Sequence, residues 1–268
     1  MPEVIVRRHG AIGTVVLSNP AKFNAMSLAM WRALPSAIAE LDADPDIRVI
    51  VLEGDGDRAF VSGADISQFE SARSDQEGRA IYEKAVDAGY RAPVENRKPT
   101  IAKIRGICMG GGLGLAAACD LRICSSDARF RMPAARLGLG YGTAGTARFL
   151  ALLGPQRTLE LFYTARIFGA ADALAMAFVL EVVAPEALDA HVAALAETIA
   201  GNAPLTLSAA KRSMEALLAA RGVPGPAQAL DARFEAARAA IAACGTSADY
   251  REGARAFMEK RPPRFTGQ

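Results

Sequence analysis

Two short apolar runs, Thr100–Ile104 and Leu121–Cys124, flank a segment with glycine at 106, 110, 111, 112 and 114 and mostly small or apolar residues elsewhere. Each run has the length and composition of a buried strand. Between them, the glycine-rich turn runs into a small-residue helix ending near Ala118. Strand, glycine turn, helix, strand is the unit of a parallel sheet with right-handed crossovers. Other units surround it. Val4–Val6 and Ala11–Leu17 read as strands joined at His9–Gly10, and Val49–Leu52 and Ala59–Val61 as two more. Leu28, Trp31, Leu34, Ile38 and Leu41 recur at helical spacing, with Ser27 as the expected N-cap and Pro35 as an expected kink or restart. The fold class is α/β.

The rest of the chain is less patterned. Residues 67–98 are polar and charged, most loop-like over Ser71–Gly78. Ala147–Leu153, Gln156–Thr164 and Ala170–Ala177 read as short helices, and Val179–Val183 as a last strand. From Pro185 to Lys260 the pattern is helical and alanine-rich, interrupted at Pro204 and at Gly222–Pro226. The expected division is a core over 1–200 and a helical oligomerisation subdomain over 201–268.

Composition excludes several function classes. With 51% hydrophobic and 22% charged residues the chain is not disordered, and a net charge of +2 advertises neither nucleic acid nor an anionic membrane. Gly106–Cys119 is too short for a bilayer helix of roughly 20 residues. Met1-Pro2-Glu3-Val4 does not open a signal peptide. Cys108, Cys119, Cys124 and Cys244 sit in apolar contexts without CxxC spacing, as in a cytoplasmic protein with reduced core thiols. His9 and His191 are too few to build a zinc site with them, and neither lies near a nucleophile motif.

Three segments could carry chemistry. Phe60-Val61-Ser62-Gly63-Ala64-Asp65-Ile66 ends a strand in a sharp turn that can leave the Ala64 N–H pointing outward; Asp65 reads first as a helix cap. Gly110-Gly111-Gly112 opens a helix whose first N–H groups are free, which suits an anion. A dinucleotide fingerprint is disfavoured there, because the third glycine is out of register and Phe130 stands where an acid is needed. Ser208-Ala209-Ala210-Lys211 matches the SxxK pattern without its SDN or KTG partners, so a helical surface pair is expected.

Two N–H groups at separate strand ends suit an oxyanion hole. With Asn19-Pro20, Phe23-Asn24-Ala25-Met26, Asp46–Leu52, Ala116–Asp120, Phe130, Gly154 and Phe257-Met258-Glu259-Lys260-Arg261, they make the chain resemble the enoyl-CoA hydratase/isomerase (crotonase) superfamily along nearly its whole length. The resemblance implies a spiral of ββα turns with a C-terminal helical trimerisation region, a homotrimer or a hexamer made of two trimers, and an acyl-CoA thioester as ligand. It implies no cofactor beyond the coenzyme A of the substrate, and no metal. By position, the backbone N–H groups of Ala64 and Gly111 would be the oxyanion donors. Ser62, Ala64, Asp65, Ile66 and Gly110 would lie along coenzyme A. Phe257 and Lys260 would reach a neighbouring subunit's ligand. The family often carries a lysine soon after this turn, where Ser67 stands here.

The departures are specific. The family's hydratases use two glutamates. Here their positions hold Gly114 and Ala134, at the expected separation (134 − 114 = 20). General acid–base help is worth about 10²–10⁴ in rate, so ordinary hydration is not expected. Restoring both glutamates should raise it. Tyr141 stands where related methylmalonyl-CoA decarboxylases keep an active-site tyrosine, although those enzymes carry histidine at the position of Ala64. The expected function is enolate stabilisation on an acyl-CoA, by a lyase, decarboxylase or isomerase using Tyr141. The alternative is a catalytically silent acyl-CoA-binding protein. Arg131, Arg136 and Arg148 flank Tyr141 and are expected in surface or interface salt bridges. Glu70, Glu77, Glu83 and Asp87 are expected on a solvated face.

Overall fold

The computed structural model describes residues 2–65, 76–221 and 230–268. Strands β1 (Glu3–His9) and β2 (Ile12–Ser18) form an antiparallel hairpin. Helix α1 (Leu28–Ala43) follows, with the Ser27 hydroxyl accepting from the Met30 N–H. The helix continues through Pro35, without the expected restart.

The chain then alternates between two sheets. β3 (Val49–Gly54), β5 (Thr100–Ile104) and β7 (Leu121–Ser125) add parallel strands to the larger sheet, ordered β1-β2-β3-β5-β7-β10. β4 (Ala59–Val61), β6 (Ile107–Met109) and β8 (Arg129–Arg131) each follow one of these and form a second parallel set. α2 (Gln76–Glu95), α3 (Gly111–Ala118) and α4 (Thr143–Thr164) complete three ββα turns. β9 (Phe168–Gly169) closes the smaller sheet, and β10 (Glu181–Val183) the larger one after α5 (Ala170–Ala175).

The central strands of the larger sheet, β3, β5 and β7, are buried on both faces, so they read as largely apolar runs. Ile50, Leu52, Ala102 and Ile104 face the main core with Trp31, Phe60, Phe130, Phe149 and Phe178. Val49, Val51, Ile101 and Ile123 face the other way, beneath Leu188, Val192 and Ala196 of α6 (Leu188–Ala200). This period-two alternation fixes the register of the sheet.

The polar stretch before Pro99 contains a 20-residue helix, α2, which begins within Ser71–Gly78; Ser71 to Asp75 lie outside the described residues. Its Tyr82 and Ala85 are buried toward α1, whereas Glu77, Glu83 and Asp87 are exposed as expected. α4 contains both expected short helices, separated at Gly154 (φ 72°, ψ 173°). The tail forms α7 (Pro204–Ala220), α8 (Leu230–Thr246) and α9 (Ala248–Glu259); the expected break at Gly222–Pro226 lies outside the described residues. Lys211 is no surface residue. Its Nζ donates to the Pro93 and Lys98 carbonyls (2.8 and 3.0 Å) and pairs with Asp120 (2.8 Å), docking α7 on the core.

Candidate active site

A small side-chain knot precedes the first turn of the site. The Asn24 amide donates to the carbonyls of Asp55 (3.0 Å) and Ala59 (2.8 Å), and its oxygen accepts from the Asn19 N–H (3.0 Å). Phe23 and Asn24 take positive φ (51° and 57°), which the knot holds in place. It sets the following residues beside the end of β4. There the Met26 N–H donates to the Gly63 carbonyl (2.8 Å) and the Asp65 N–H to the Met26 carbonyl (2.9 Å). This is a parallel bridge centred on Ala64, and it turns the N–H of Ala64 itself away from Met26.

Asp65 is buried and takes both carboxylate bonds from Lys22 Nζ (3.0 and 2.8 Å). It braces the turn from below, a role the expected helix cap did not include. The Ser62 hydroxyl donates to the Lys22 carbonyl (3.0 Å). Ile66 and Ser67 lie outside the described residues.

Gly110 takes φ 52°, ψ −115° at the end of β6, and its N–H donates to the Arg131 carbonyl (2.9 Å). Gly111 is then the first residue of α3, so its N–H has no carbonyl one turn back. Glycine is required here by close approach. A Cβ on Gly112 would lie 2.3 Å from the Val61 carbonyl oxygen. One on Gly111 would lie 3.1 Å from Trp31 Cζ2 and 3.8 Å from the Ala64 nitrogen. The two strand ends identified in the sequence are therefore neighbours.

Gly114 is one turn further along α3. A Cβ built on it would lie 2.6 Å from the Tyr90 hydroxyl and 2.7 Å from the Tyr141 hydroxyl. The space of a side chain at 114 is filled by two phenols, one from α2 and one from the segment before α4. A glutamate placed there would have to displace these two hydroxyls.

The Tyr90 ring stands edge-on to Trp31 (centroids 5.3 Å apart), and its hydroxyl donates to the Gly111 carbonyl (3.3 Å). The Tyr141 ring packs against Phe162 and Phe149 (5.1 and 6.3 Å). Its hydroxyl is buried beside that of Tyr90, and no hydrogen-bond partner of good geometry is found for it among the described residues. Burial raises the pKa of both phenols, and the Tyr141 hydroxyl raises that of Tyr90 further. Both are thus protonated at neutral pH, proton donors and not bases. Ala134 is buried in the core at the start of a 3₁₀ turn.

A cavity of about 60 Å³ continues past Gly114 and is lined by Tyr90, Ala117, Ala118, Tyr141 and Arg148. Phe257 and Lys260, at the end of α9, do not line it. Cys108, Cys119 and Cys124 are free and buried. Burial pushes the Cys119 and Cys124 thiols up to about 12 and Cys108 well above its ordinary value, so these thiols are inert packing groups. Sequence reading missed Tyr90. Only its place on α2, one helical turn from half-buried Val86 and facing Trp31, reveals it.

Among the described residues no helix is long and apolar enough to cross a membrane. The family model for enoyl-CoA hydratase/isomerase matches residues 7–268. A crotonyl-CoA hydratase of Syntrophomonas wolfei is 30% identical over 265 residues, covering 98% of this chain and 97% of the relative. A peroxisomal Delta(3,5)-Delta(2,4)-dienoyl-CoA isomerase of Arabidopsis thaliana is 33% identical, covering 97% and 95%. The crystal structure of an enoyl-CoA hydratase/carnithine racemase from Magnetospirillum magneticum superimposes with a TM-score of 0.89 at 35% identity, over 100% of this chain and 97% of that one. The match spans the ββα turns, the paired strand ends and the C-terminal helices alike, so the chain belongs to the enoyl-CoA hydratase/isomerase (crotonase) family.

Proposed function

We propose that this protein binds an acyl-CoA thioester, holds the thioester oxygen on the N–H groups of Ala64 and Gly111, and forms its enolate by loss of CO₂ without adding water. One observation carries the reading: two protonated phenols occupy the volume where a side chain at 114 would stand. Hydration needs a base to take a proton from water, and neither Gly114 nor Ala134 can act as one. Decarboxylation of a malonyl-type thioester needs no base. The bond between the α-carbon and the carboxylate breaks, CO₂ departs, and the electron pair moves into the thioester as an enolate stabilised by the two N–H groups. The Tyr141 hydroxyl then protonates the α-carbon, and solvent returns a proton to the phenolate.

The relatives named as crotonyl-CoA hydratase and dienoyl-CoA isomerase support coenzyme A thioesters as the ligand class. The carbonyls of Ser62 and Ala64 would then lie near the adenine, with Asp65 and Gly110 along coenzyme A, as the resemblance implies. The working assembly in this reading is a homotrimer or a pair of trimers, supported by the exposure of Phe257 and Met258 (83% and 80%) on α9. In it, Phe257 and Lys260 would reach a neighbour's ligand.

The test is incubation with malonyl-CoA in D₂O, with acetyl-CoA and its deuterium content followed by mass spectrometry, beside crotonyl-CoA hydration. The expected result is deuterated acetyl-CoA, with hydration near background. Tyr141→Phe should slow product formation by about 10²-fold or more if it delivers the proton. Efficient crotonyl-CoA hydration would overturn the reading. Thioester binding with neither reaction would leave the silent acyl-CoA-binding protein in its place.

A further inference from the structure

Within the chain, none of the three arginines that flank Tyr141 is in a salt bridge among the described residues. Arg131 Nε donates to the Ala165 carbonyl (2.7 Å), and Arg136 is exposed on a 3₁₀ turn. Arg148 points elsewhere. It lines the cavity behind Gly114 together with Tyr90 and Tyr141, and among the described residues its guanidinium has neither a hydrogen bond nor a carboxylate at salt-bridge distance.

The charges around it explain why it remains uncommitted. Arg91, the other cation of the cavity wall, lies 3.6 Å from both Asp87 and Glu95, and all three are substantially exposed at the rim, where water screens them. Asp120 attracts Arg148 but is not within salt-bridge distance of it, and its Oδ2 is held by the Thr100 N–H, the Thr100 hydroxyl and Lys211 (2.8 Å each). Glu215, on α7, also attracts it. Its Oε1 is buried without a hydrogen-bond partner, and burial pushes the carboxyl up to about 7 against the pull of Lys211, Arg212 and Arg148. At neutral pH Glu215 therefore answers only part of the Arg148 charge.

We propose that Arg148 is a specificity-determining residue that recognises a carboxylate on the acyl group, so that the site selects acyl-CoA thioesters carrying a second acid function. The inference rests on the acyl-CoA reading above and names the substrate class. A carboxylate entering a cavity of this size loses its hydration and requires a compensating charge. The guanidinium offers a planar fork of donors suited to it. Such pairing stabilises the bound substrate more than the departing CO₂, so it acts on affinity and KM and opposes the chemical step if anything.

The experiment is calorimetric titration of sulfoacetyl-CoA, an anionic mimic of malonyl-CoA that cannot lose CO₂, beside acetyl-CoA. Wild type is expected to prefer the anion by roughly tenfold to a hundredfold, the range of a hydrogen bond to a charged group. Arg148→Met should abolish that ratio, Arg148→Lys should keep part of it, and Glu215→Gln should leave it intact. Acetyl-CoA affinity in each variant shows that the thioester site is folded, and a merely structural arginine would not move the ratio. A ratio near one in wild type, or an unchanged ratio in Arg148→Met, overturns the inference even if malonyl-CoA is decarboxylated. An Arg148-dependent preference without decarboxylation upholds it while the proposed reaction fails.

Discussion

Gly114 shows how the neighbours of one residue can fix its size. In an exposed helix interior, alanine for glycine stabilises by roughly 0.5–1 kcal/mol, because glycine loses more backbone freedom on folding. Here the new methyl would press on both phenolic hydroxyls at 2.6 and 2.7 Å. Overpacking a filled core costs about 1–3 kcal/mol, so the second effect wins. Gly114→Ala is expected to lower the unfolding free energy by about 1–2 kcal/mol in urea titrations. Adding Tyr90→Phe and Tyr141→Phe should return part of the loss, and a stabilised single variant would show that the phenols do not occupy this volume. By the same geometry Gly114→Glu should not restore hydration. That Gly114 follows the glycine triplet and stands 20 residues before Ala134 was legible in the chain. Its consequence was not: Tyr90 lies 24 residues before Gly114 in a polar stretch with no local signal, and only the packing of α2 on Trp31 brings it in.

At the scale of elements, buried strands announced themselves and interfaces between helices did not. β3, β5 and β7 were readable because both faces of the sheet are covered, leaving uninterrupted apolar runs. α2 carries a charged outer face over a narrow buried stripe, and β8 and β9 are two or three residues long, below the reach of any periodicity. The docking of α7 was equally silent, since Lys211 reads as a solvated residue until its three acceptors are seen. Glu215 on the same helix makes that docking sensitive to pH. Its carboxyl titrates near 7 in the folded chain against an ordinary value of 4.5. As pH rises through that window the unfolded chain releases this proton first, so Glu215 removes stability progressively and the loss levels off above about 7. Glu215→Gln deletes the effect. Its melting temperature relative to wild type should rise between about pH 5 and pH 8, and a constant difference across that range would place Glu215 in an ordinary solvated setting.

For the whole molecule, α9 offers apolar surface that its own chain does not cover. Phe257 and Met258 are the two most exposed large apolar side chains among the described residues. Yet the helix is firmly placed: the Ser247 hydroxyl caps it, and Asp249 near its start accepts from the Thr266 and Gly267 N–H groups (2.7 and 2.9 Å). Arg48, at the entry to β3, holds the Phe265 carbonyl (2.7 Å) and so ties the tail back to the core. A pair of apolar side chains presented on a rigid, anchored helix is what a subunit interface requires, because little ordering remains to oppose association. Burying such a side chain contributes about 1.5–3 kcal/mol, and in the proposed trimer each contact would be repeated around a closed ring. A carboxylate placed there would have to be desolvated at every copy. Phe257→Asp is therefore expected to shift sedimentation from a three- or six-subunit species toward the monomer, with the melting curve of the isolated fold retained. If the ligand bridges neighbours, acyl-CoA affinity should fall with the assembly. A variant that keeps the wild-type sedimentation coefficient would place the contacts on another face and detach Phe257 from the ligand as well.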